Sequence, residues 1–155
     1  MKKILFVCLG NICRSPMAEA ILNHYINENK LELSCDSAGT SSNHIGENPD
    51  YRAQKKLSEY HIKTKHKARK FEVQDFELFD YIFAMDKQNL IDIQNIARTH
   101  QIDDSNVQLM RNFDPIPEDK NVPDPWFGGM EGFEEVYHML DRTILNFLNK
   151  ENLIK

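Results

Sequence analysis

The residues whose types and spacing most clearly point to chemistry are a cysteine and an arginine near the start of the chain. They are Cys8 and Arg14, with five residues between them. The backbone N–H groups of such a short loop can converge on one anion, and the N-terminus of a following helix adds positive potential there. Arg14 offers a planar fork that can bind two phosphate oxygens. The same field favours the thiolate form of Cys8, which is the nucleophilic form. The spacing therefore predicts a phosphate-binding loop with a thiolate at its base.

Residues within and after this loop support that interpretation. Gly10 permits a backbone turn that other residues resist, and Asn11 tolerates the left-handed region better than most residues. Ser15 and Pro16 form a typical helix start, with a capping hydroxyl followed by proline at the first helical position. A lone cysteine at the end of an apolar strand is more often a core residue, but this combination favours a functional one. The two cysteines of the loop lack zinc-finger spacing, so neither a metal site nor a cofactor is predicted.

Asp124, far along the chain, is a second candidate catalytic residue. Hydrolysis of an ester needs an acid at the leaving oxygen, and a carboxylic acid can give and recover that proton. An Asp-Pro dipeptide is more often simply a turn, and Asp114 with its following proline is interpreted that way. Asp124 is preferred because Trp126 and Phe127 follow it and offer an aromatic wall for an aryl phosphate. The two glycines at 128 and 129 would let this loop move.

Alternating strands and helices have to position these residues. Apolar runs of strand length occur at residues 4–8, 31–37, 81–85 and 107–110. Helical patterns occur at residues 15–29, from 48 onwards, at 72–78, at 87–97 and from about 131 onwards. The alternation predicts an α/β fold, a four-stranded parallel sheet with helices on both faces, in one domain spanning residues 1–155. In such folds the ligand site lies beyond the carboxyl ends of the strands, where Cys8 ends the first strand.

Length and composition fit this fold and exclude several other classes of protein. The chain has 155 residues, of which 41% are hydrophobic and 28% charged, as in ordinary globular domains. Its net charge of -5 provides no global field for nucleic acid or for an anionic membrane surface. No apolar run approaches the roughly 18 residues that span a bilayer. Three cysteines, an odd number, argue against a disulfide framework and favour a reducing, cytoplasmic location.

A basic run at residues 63–70 has the charge of a nucleic-acid patch. No aromatic side chains interleave it for base stacking, so a solvated loop is the preferred interpretation. Within this run, Arg69 is expected to pair with Asp36.

Taken in order, the motifs resemble those of the low-molecular-weight protein tyrosine phosphatases, and the resemblance covers essentially the whole chain. The most specific matches are V-C-L-G-N-I-C-R-S-P-M-A-E-A at residues 7–20 and D-P-W at residues 124–126. Supporting matches are D-S-A-G-T at 36–40, P-D-Y-R at 49–52, H-K-A-R at 66–69 and A-M-D at 84–86.

The resemblance implies hydrolysis of protein phosphotyrosine and small aryl phosphates in two steps, through a cysteinyl-phosphate and without a metal. Cys8 would be the nucleophile, Arg14 would bind the equatorial phosphate oxygens, and Asp124 would act as general acid and then as general base. The implied partners are tyrosine-phosphorylated proteins, with inorganic phosphate and similar oxyanions as inhibitors. The supporting and phosphate-binding residues would be Leu9, Gly10, Asn11, Ile12, Cys13, Ser15, Ser37 and His66.

Two of these implied roles concern the shape of the loop. Ser15 would hydrogen-bond the thiolate and help it to leave in the second step. Asn11, supported by Ser37 and His66, would hold the loop in a strained conformation.

The remaining cysteines receive different interpretations. In the family, a second cysteine at the position of Cys13 can trap the oxidised nucleophile as a reversible disulfide. Cys13 could equally be a small residue that fills the underside of the loop, and the two interpretations are compatible. Cys35, in the middle of a strand, is interpreted as a core residue.

The sequence departs from the family pattern at the rim of the pocket. Where members usually carry a tyrosine or a tryptophan, this chain has Asn43 and His44. These two residues are predicted to form the substrate wall together with Trp126 and Phe127. The smaller side chains predict a more open rim.

Two other functions stay open. A thiol-dependent arsenate reductase shares the fold and the anion loop, but it needs further cysteines, and none follows Cys35. A non-catalytic phosphate-binding or phosphocysteine carrier can have a cysteine at the end of its first strand, but it needs neither Arg14 nor a late Asp-Pro loop. Turnover of p-nitrophenyl phosphate without metal or thioredoxin would distinguish a phosphatase from both.

Overall fold

Four parallel strands form the frame of the site. The computed structural model describes residues 1–116 and 119–155. Within them the strands are β1 (Lys2–Cys8), β2 (Leu33–Gly39), β3 (Tyr81–Ala84) and β4 (Val107–Leu109). They form one sheet in the order β2-β1-β3-β4, in which every neighbouring pair is parallel. The predicted four-stranded parallel sheet is confirmed, and β1 is paired on both of its edges.

Helices cover both faces of this sheet. In the described residues they are α1 (Arg14–Asn29), α2 (Tyr51–Glu59), α3 (Asp75–Leu78), α4 (Lys87–Thr99) and α5 (Gly129–Lys150), with a 3₁₀ turn at Met110–Phe113. Ile4 and Phe6 of β1 share a core with α1, α2 and α5, whereas Leu5 and Val7 share one with α3 and α4. Because both faces are covered, residues 4–8 of β1 form a continuous apolar run. None of the helices in these residues is long and apolar enough to cross a bilayer.

The carboxyl ends of the central strands lie level with one another. Cys8 pairs with Gly39 at the end of β2, and β3 ends beside them. The segment that leads to Asp124 reaches the same edge, because the Val122 N–H donates to the Met85 carbonyl at 2.7 Å. The sheet therefore brings the phosphate-binding loop and the Asp124 segment to the edge at which this fold places its ligands.

Several element boundaries differ from the prediction by two or three residues. β2 begins at Leu33 and not at residue 31. The residues before it close α1, since Lys30 takes a left-handed conformation with φ of 52° and the Leu31 N–H donates to the Ile26 carbonyl. α3 is also shorter than predicted, because it begins only at Asp75.

The start of α1 corrects the predicted helix cap. The helix begins at Arg14, and the preceding Cys13 makes no side-chain capping bond. Ser15 is not the cap, because its hydroxyl lies 2.9 Å from the Cys8 sulfur and accepts from the Asn11 amide. The N-terminus of α1 is therefore available to an anion instead of being closed by a side chain.

Candidate active site

The loop between β1 and α1 turns around a single sulfur atom. Cys8 ends β1 and is only 3% exposed. The Asn11 N–H donates to its sulfur at 3.3 Å, and the Ser15 hydroxyl lies 2.9 Å from it. Asn11 makes this turn with φ of 59°, in the left-handed region, as its residue type predicts. Donors that converge on the sulfur in this way stabilise a thiolate.

The side chain of Asn11 holds the loop in shape. Its amide nitrogen donates to the Ser15 and Ser37 hydroxyls, at 2.8 and 2.9 Å. Its carbonyl oxygen lies 2.6 Å from Nε2 of His66 and accepts from the Arg69 backbone N–H at 2.9 Å. Because the Ser15 oxygen accepts from Asn11, the hydroxyl proton is free to bond to the sulfur. The structure thus brings together the supporting residues that the resemblance implies.

A charged cluster lies behind this network. His66 Nδ1 is 3.0 Å from Glu19 Oε1, and the Ser37 hydroxyl donates to the same oxygen at 2.7 Å. Asp36 pairs with Arg69 at 2.9 Å, as predicted. The ligand atoms of Glu19, Asp36 and His66 lie within 4.8 Å of one another, which is close enough for a cation. Each of these groups already has a hydrogen-bonding or charged partner within the protein. Those contacts explain why the groups lie close together, without a bound cation.

Arg14 is fixed beside Cys8 by two acceptors. Its side chain is 4% exposed, and its Nη1 donates to Asp86 Oδ2 at 2.7 Å and to the Val122 carbonyl at 3.0 Å. Burial lowers the pKa of Arg14, but the nearby Cys8 and the hydrogen bond to Asp86 outweigh it and raise the pKa above its ordinary value. Arg14 is therefore a permanent cation, and both of these bonds use the same nitrogen.

These groups open into one pocket of about 210 Å³. Each lining residue belongs to the predicted site, and the hydrogen-bonded Asn11, Ser15, Ser37 and His66 lie behind the lining as its support. Among the described residues the lining is Cys8, Leu9, Gly10, Ile12, Cys13, Arg14, His44, Asp124, Trp126 and Phe127.

The rim of the pocket is aromatic. Phe127 is 94% exposed and Trp126 is 41% exposed, and the Trp126 ring lies 6.4 Å from the His44 ring between centroids. His44 therefore lies in the pocket lining beside Trp126. Asn43 does not, since the lining formed by the described residues leaves it out, and its N–H donates to Ser41 Oγ in a local turn.

Gly10 has a different role from the one predicted. Its φ is not in the left-handed region, so it is not required for an unusual turn. A Cβ at this position would lie 3.1 Å from Cδ2 of His44. Gly10 instead lets the His44 ring approach the phosphate-binding loop.

Asp124 lies exposed at the mouth of the pocket. Its Oδ1 accepts from the Trp126 N–H at 3.0 Å, which makes a short turn. Asp114, in the other Asp-Pro dipeptide, is buried and binds Arg111 and Arg142 at 2.8 and 3.0 Å. The two dipeptides thus differ as expected, because Asp114 has a structural position and Asp124 faces the pocket.

Arg52 contacts the Asp124 segment, and the sequence alone does not reveal this contact. It lies at the start of α2, and its Nη1 donates to the Trp126 carbonyl at 2.8 Å. Its guanidinium carbon lies 5.2 Å from the centroid of the Trp126 ring. The P-D-Y-R run at residues 49–52 marks this position, but it gives no sign of contact with a loop 74 residues away.

The cysteines are all free thiols. Burial, then the neighbouring Asp50 and Cys8, raise the pKa of the Cys13 thiol well above its ordinary value. Cys35 lies partly buried on β2, where burial and then Glu19 raise the pKa of its thiol in the same way. Cys13 and Cys35 therefore stay protonated and do not compete with Cys8 as nucleophiles.

The sequence of this chain is similar to those of proteins with known names. The family described as low molecular weight phosphotyrosine protein phosphatase matches residues 3–155. The protein of that name from Schizosaccharomyces pombe is 43% identical over 149 residues, which cover 94% of each chain. The human protein of that name is 38% identical over 151 residues, which cover 96% of this chain and 95% of the human one.

Two phosphatases are among the solved structures that resemble this one. A protein tyrosine phosphatase from Entamoeba histolytica is similar with a TM-score of 0.90 at 36% identity, over 98% of this chain and 97% of its own. An arginine phosphatase from Drosophila is similar with a TM-score of 0.89 at 39% identity, over 97% of this chain and 98% of its own. By its sequence, its fold and the loop at the end of β1, the chain belongs to the low molecular weight phosphotyrosine protein phosphatase family.

Proposed function

We propose that this protein hydrolyses phosphotyrosine in proteins, and small aryl phosphates, through a cysteinyl-phosphate intermediate. The observation that carries the proposal is a single pocket lined by Cys8, Arg14 and Asp124 beneath an aromatic rim. An aryl phosphate bound there would place its phosphate in the loop and its ring against Trp126. Membership of the family supports the same substrate.

In the first step, the Cys8 sulfur attacks phosphorus, and the S–P bond forms as the bond from phosphorus to the phenolic oxygen breaks. Arg14 and the loop N–H groups bind the equatorial oxygens, on which charge is spread. Protonated Asp124 gives its proton to the leaving phenolate. Asp86 is less suited to this task, because its carboxylate already binds Arg14 and caps α4.

In the second step, water attacks the phosphorus of the cysteinyl-phosphate. Asp124, now a carboxylate, takes a proton from the water as the new P–O bond forms. The S–P bond breaks and the electron pair returns to Cys8 as a thiolate. The Ser15 hydroxyl, 2.9 Å from the sulfur, stabilises that charge as it develops.

The lining favours an aryl ring over a guanidinium. Leu9, Ile12, Trp126 and Phe127 present apolar and aromatic surface that can bury the faces of a phenyl ring. Phosphoarginine, the substrate class that the name of the Drosophila neighbour indicates, would place the N–H groups of its guanidinium against the aliphatic side chains of Leu9 and Ile12. Phosphotyrosine is therefore the substrate we propose.

The same site would respond to oxyanions and to oxidants. Inorganic phosphate would compete with substrate, because it fills the loop without offering a leaving group. Peroxide would convert the Cys8 thiolate to a sulfenic acid, and the Cys13 thiol would condense with it to a disulfide and water. Catalysis needs Cys8 to be reduced, which suits the cytoplasm as the place of action.

The test is a panel of matched peptides that carry phosphotyrosine, phosphoserine or phosphoarginine, assayed with a metal chelator present. We expect fast phosphate release from the phosphotyrosine peptide and much slower release from the other two. Cys8→Ser is the control, and it should bind the peptide without hydrolysing it. Faster hydrolysis of phosphoarginine would refute the proposed substrate, and turnover by Cys8→Ser would refute the proposed nucleophile.

The acid role of Asp124 is tested separately by the leaving group. Asp124→Asn should slow phosphoenzyme formation from phenyl phosphate roughly 10²–10⁴-fold, the range of general acid catalysis. The same step should change much less with p-nitrophenyl phosphate, whose leaving group is already a stable anion. Pre-steady-state kinetics measure this step directly, and equal slowing with both substrates would exclude Asp124 as the acid.

A further inference from the structure

One arginine reaches the Asp124 segment from outside the phosphate-binding loop. Arg52 donates from Nη1 to the Trp126 carbonyl at 2.8 Å. The N–H of the same Trp126 donates to Asp124 Oδ1 at 3.0 Å. The Trp126 N–H thus binds the Asp124 carboxylate, and the Trp126 carbonyl accepts from Arg52.

The guanidinium of Arg52 is itself held in place. Its Nε and Nη2 donate to the two oxygens of Asp50, both at 3.1 Å. Asp50 caps α2 by accepting from the Arg52 N–H at 2.8 Å, and its own N–H donates to the Ile12 carbonyl at 2.7 Å. Because Ile12 belongs to the phosphate-binding loop, Asp50 and Arg52 connect that loop to the Asp124 segment.

Two aromatic rings flank the same guanidinium. Its Cζ lies 5.2 Å from the centroid of the Trp126 ring and 4.9 Å from that of the Phe133 ring. These distances are within the range of cation–π attraction. Phe133 is fully buried in α5, so it gives the cation a fixed support. Arg52 therefore ties the exposed Trp126 ring to the core.

The Asp124 segment is held by an arginine on each side. Arg14 donates to the Val122 carbonyl at 3.0 Å, before Asp124, and Arg52 donates to the Trp126 carbonyl after it. We propose that Arg52 is a positioning residue that holds the Asp124 carboxyl at the leaving-group oxygen by fixing the Trp126 backbone. This inference rests on the proposed acid role of Asp124.

Loss of Arg52 should impair proton transfer more than phosphate binding or folding. Its ion pair with Asp50 is bidentate and largely buried, so its loss also lowers stability, and thermal unfolding of the variant measures that cost separately. A misplacement of about 1 Å at a reacting group can slow a reaction about 10²-fold. A partial displacement of Asp124 should therefore affect the reactions that need its proton and spare the others.

The experiment measures phosphoenzyme formation from two substrates by pre-steady-state kinetics. We expect Arg52→Gln to slow this step about tenfold with phenyl phosphate and no more than about twofold with p-nitrophenyl phosphate. Inhibition by inorganic phosphate should stay within about twofold of wild type, because Arg14 is untouched. Arg52→Lys keeps the charge and should restore part of the rate with phenyl phosphate.

A matched control and a double substitution complete the test. Arg142→Gln breaks a comparable ion pair to Asp114 away from the pocket, and it should show no dependence on the leaving group. In an Asp124→Asn background, Arg52→Gln should cause no further loss with phenyl phosphate, because the group that it positions has been removed.

Three results would overturn the inference. Equal slowing with both substrates in Arg52→Gln would show a general structural role for this residue. A full additional loss in the double variant would show that Arg52 acts independently of Asp124. Absence of leaving-group dependence in Asp124→Asn alone would instead remove the acid assignment on which the inference depends.

Discussion

Asn11 combines an unfavourable backbone conformation with a fully used side chain. Its φ of 59° lies in the left-handed region, and its amide group contacts Ser15, Ser37, His66 and the Arg69 backbone. Residues other than glycine, asparagine and aspartate lose roughly 1–2 kcal/mol in this region. Conformation and hydrogen bonding at this position can therefore be separated by two substitutions.

We predict that Asn11→Gly and Asn11→Ala both lower kcat about tenfold or more, because both remove the bonds that shape the loop. Only alanine adds backbone strain, so its unfolding temperature should lie about 2–8 °C below that of the glycine variant. Thermal unfolding and p-nitrophenyl phosphate turnover measure the two effects. Equal unfolding temperatures would show that the conformation at residue 11 costs nothing.

At the scale of single residues, the sequence reveals site residues that lie close together along the chain. It does not reveal contacts between residues that are far apart along the chain. Cys8, Asn11 and Arg14 could be identified because their spacing within one short loop already implies an anion site. Ser15 could be placed in the site but was also predicted to cap α1, a role for which its hydroxyl is not available. Arg52 could not be found, because its contacts with Trp126 depend on how α2 packs against a loop far along the chain.

At the scale of elements, β2 ends where the phosphate-binding loop passes closest to it. A Cβ on Gly39 would lie 2.7 Å from the Leu9 carbonyl oxygen and 3.2 Å from the Asn11 nitrogen. Both neighbours are backbone atoms, so the loop itself would have to move. We predict that Gly39→Ala lowers kcat/KM about 10²-fold.

A glycine in another element provides the comparison for this substitution. A Cβ on Gly132, in α5, would have no neighbour closer than 3.6 Å. Gly132→Ala should therefore keep activity and raise the unfolding temperature slightly, since alanine favours a helix by up to about 1 kcal/mol. Similar activity in the two alanine variants would contradict the close approach of β2 to the loop.

Helices α2 and α5 are joined by an ion pair between the buried Lys56 and the partly exposed Glu134. Hydrogen bonds from Lys56 on α2 and then from Tyr60, which follows α2, lower the pKa of Glu134 on α5 from 4.5 to about 2. A carboxyl with a lowered pKa stabilises the fold above its unfolded value, and that contribution is lost as the pH falls towards the folded value. The contact should therefore act fully above about pH 4.5 and disappear towards pH 2.

Glu134→Gln should lower the unfolding temperature at pH 7 by about 1–4 °C, because Lys56 is buried but the Glu134 carboxylate is partly exposed and screened by solvent. The difference from wild type should narrow as the pH falls below about 4.5. Thermal unfolding followed from pH 7 to pH 3 measures it, with the exposed neighbour Glu135→Gln as control. A difference that stays constant over this range would show that the carboxylate charge is not responsible.

The elements themselves could be predicted where apolar pattern and length agree, as in β1, β3 and α4. Boundaries set by local backbone events could not, because the left-handed Lys30 delays the start of β2. The 3₁₀ turn at Met110–Phe113 lacks a periodic pattern of its own. The order β2-β1-β3-β4 likewise depends on contacts between elements and not on any one of them.

At the scale of the whole molecule, the pocket joins segments from distant parts of the chain. A ligand that binds only the folded state stabilises it by linkage. Inorganic phosphate at about 100 times its Kd should contribute about 2.7 kcal/mol and raise the unfolding temperature by about 5–11 °C. Calorimetry should show the same shift in Cys8→Ser and little shift in Arg14→Lys, whose ammonium lacks the planar fork. An unchanged shift in Arg14→Lys would place the bound phosphate elsewhere.

The position of β1 within the sheet sets the moment at which activity can arise during synthesis. Its partners β2 and β3 follow it in the chain, and α1 packs against α5, which extends to Lys150. Contacts between such distant segments form late, because long loops have to close first. A nascent chain on the ribosome therefore displays Cys8 long before it has a sheet to hold the loop. The loop around Cys8 can therefore take its shape only after β2, β3 and α5 have emerged.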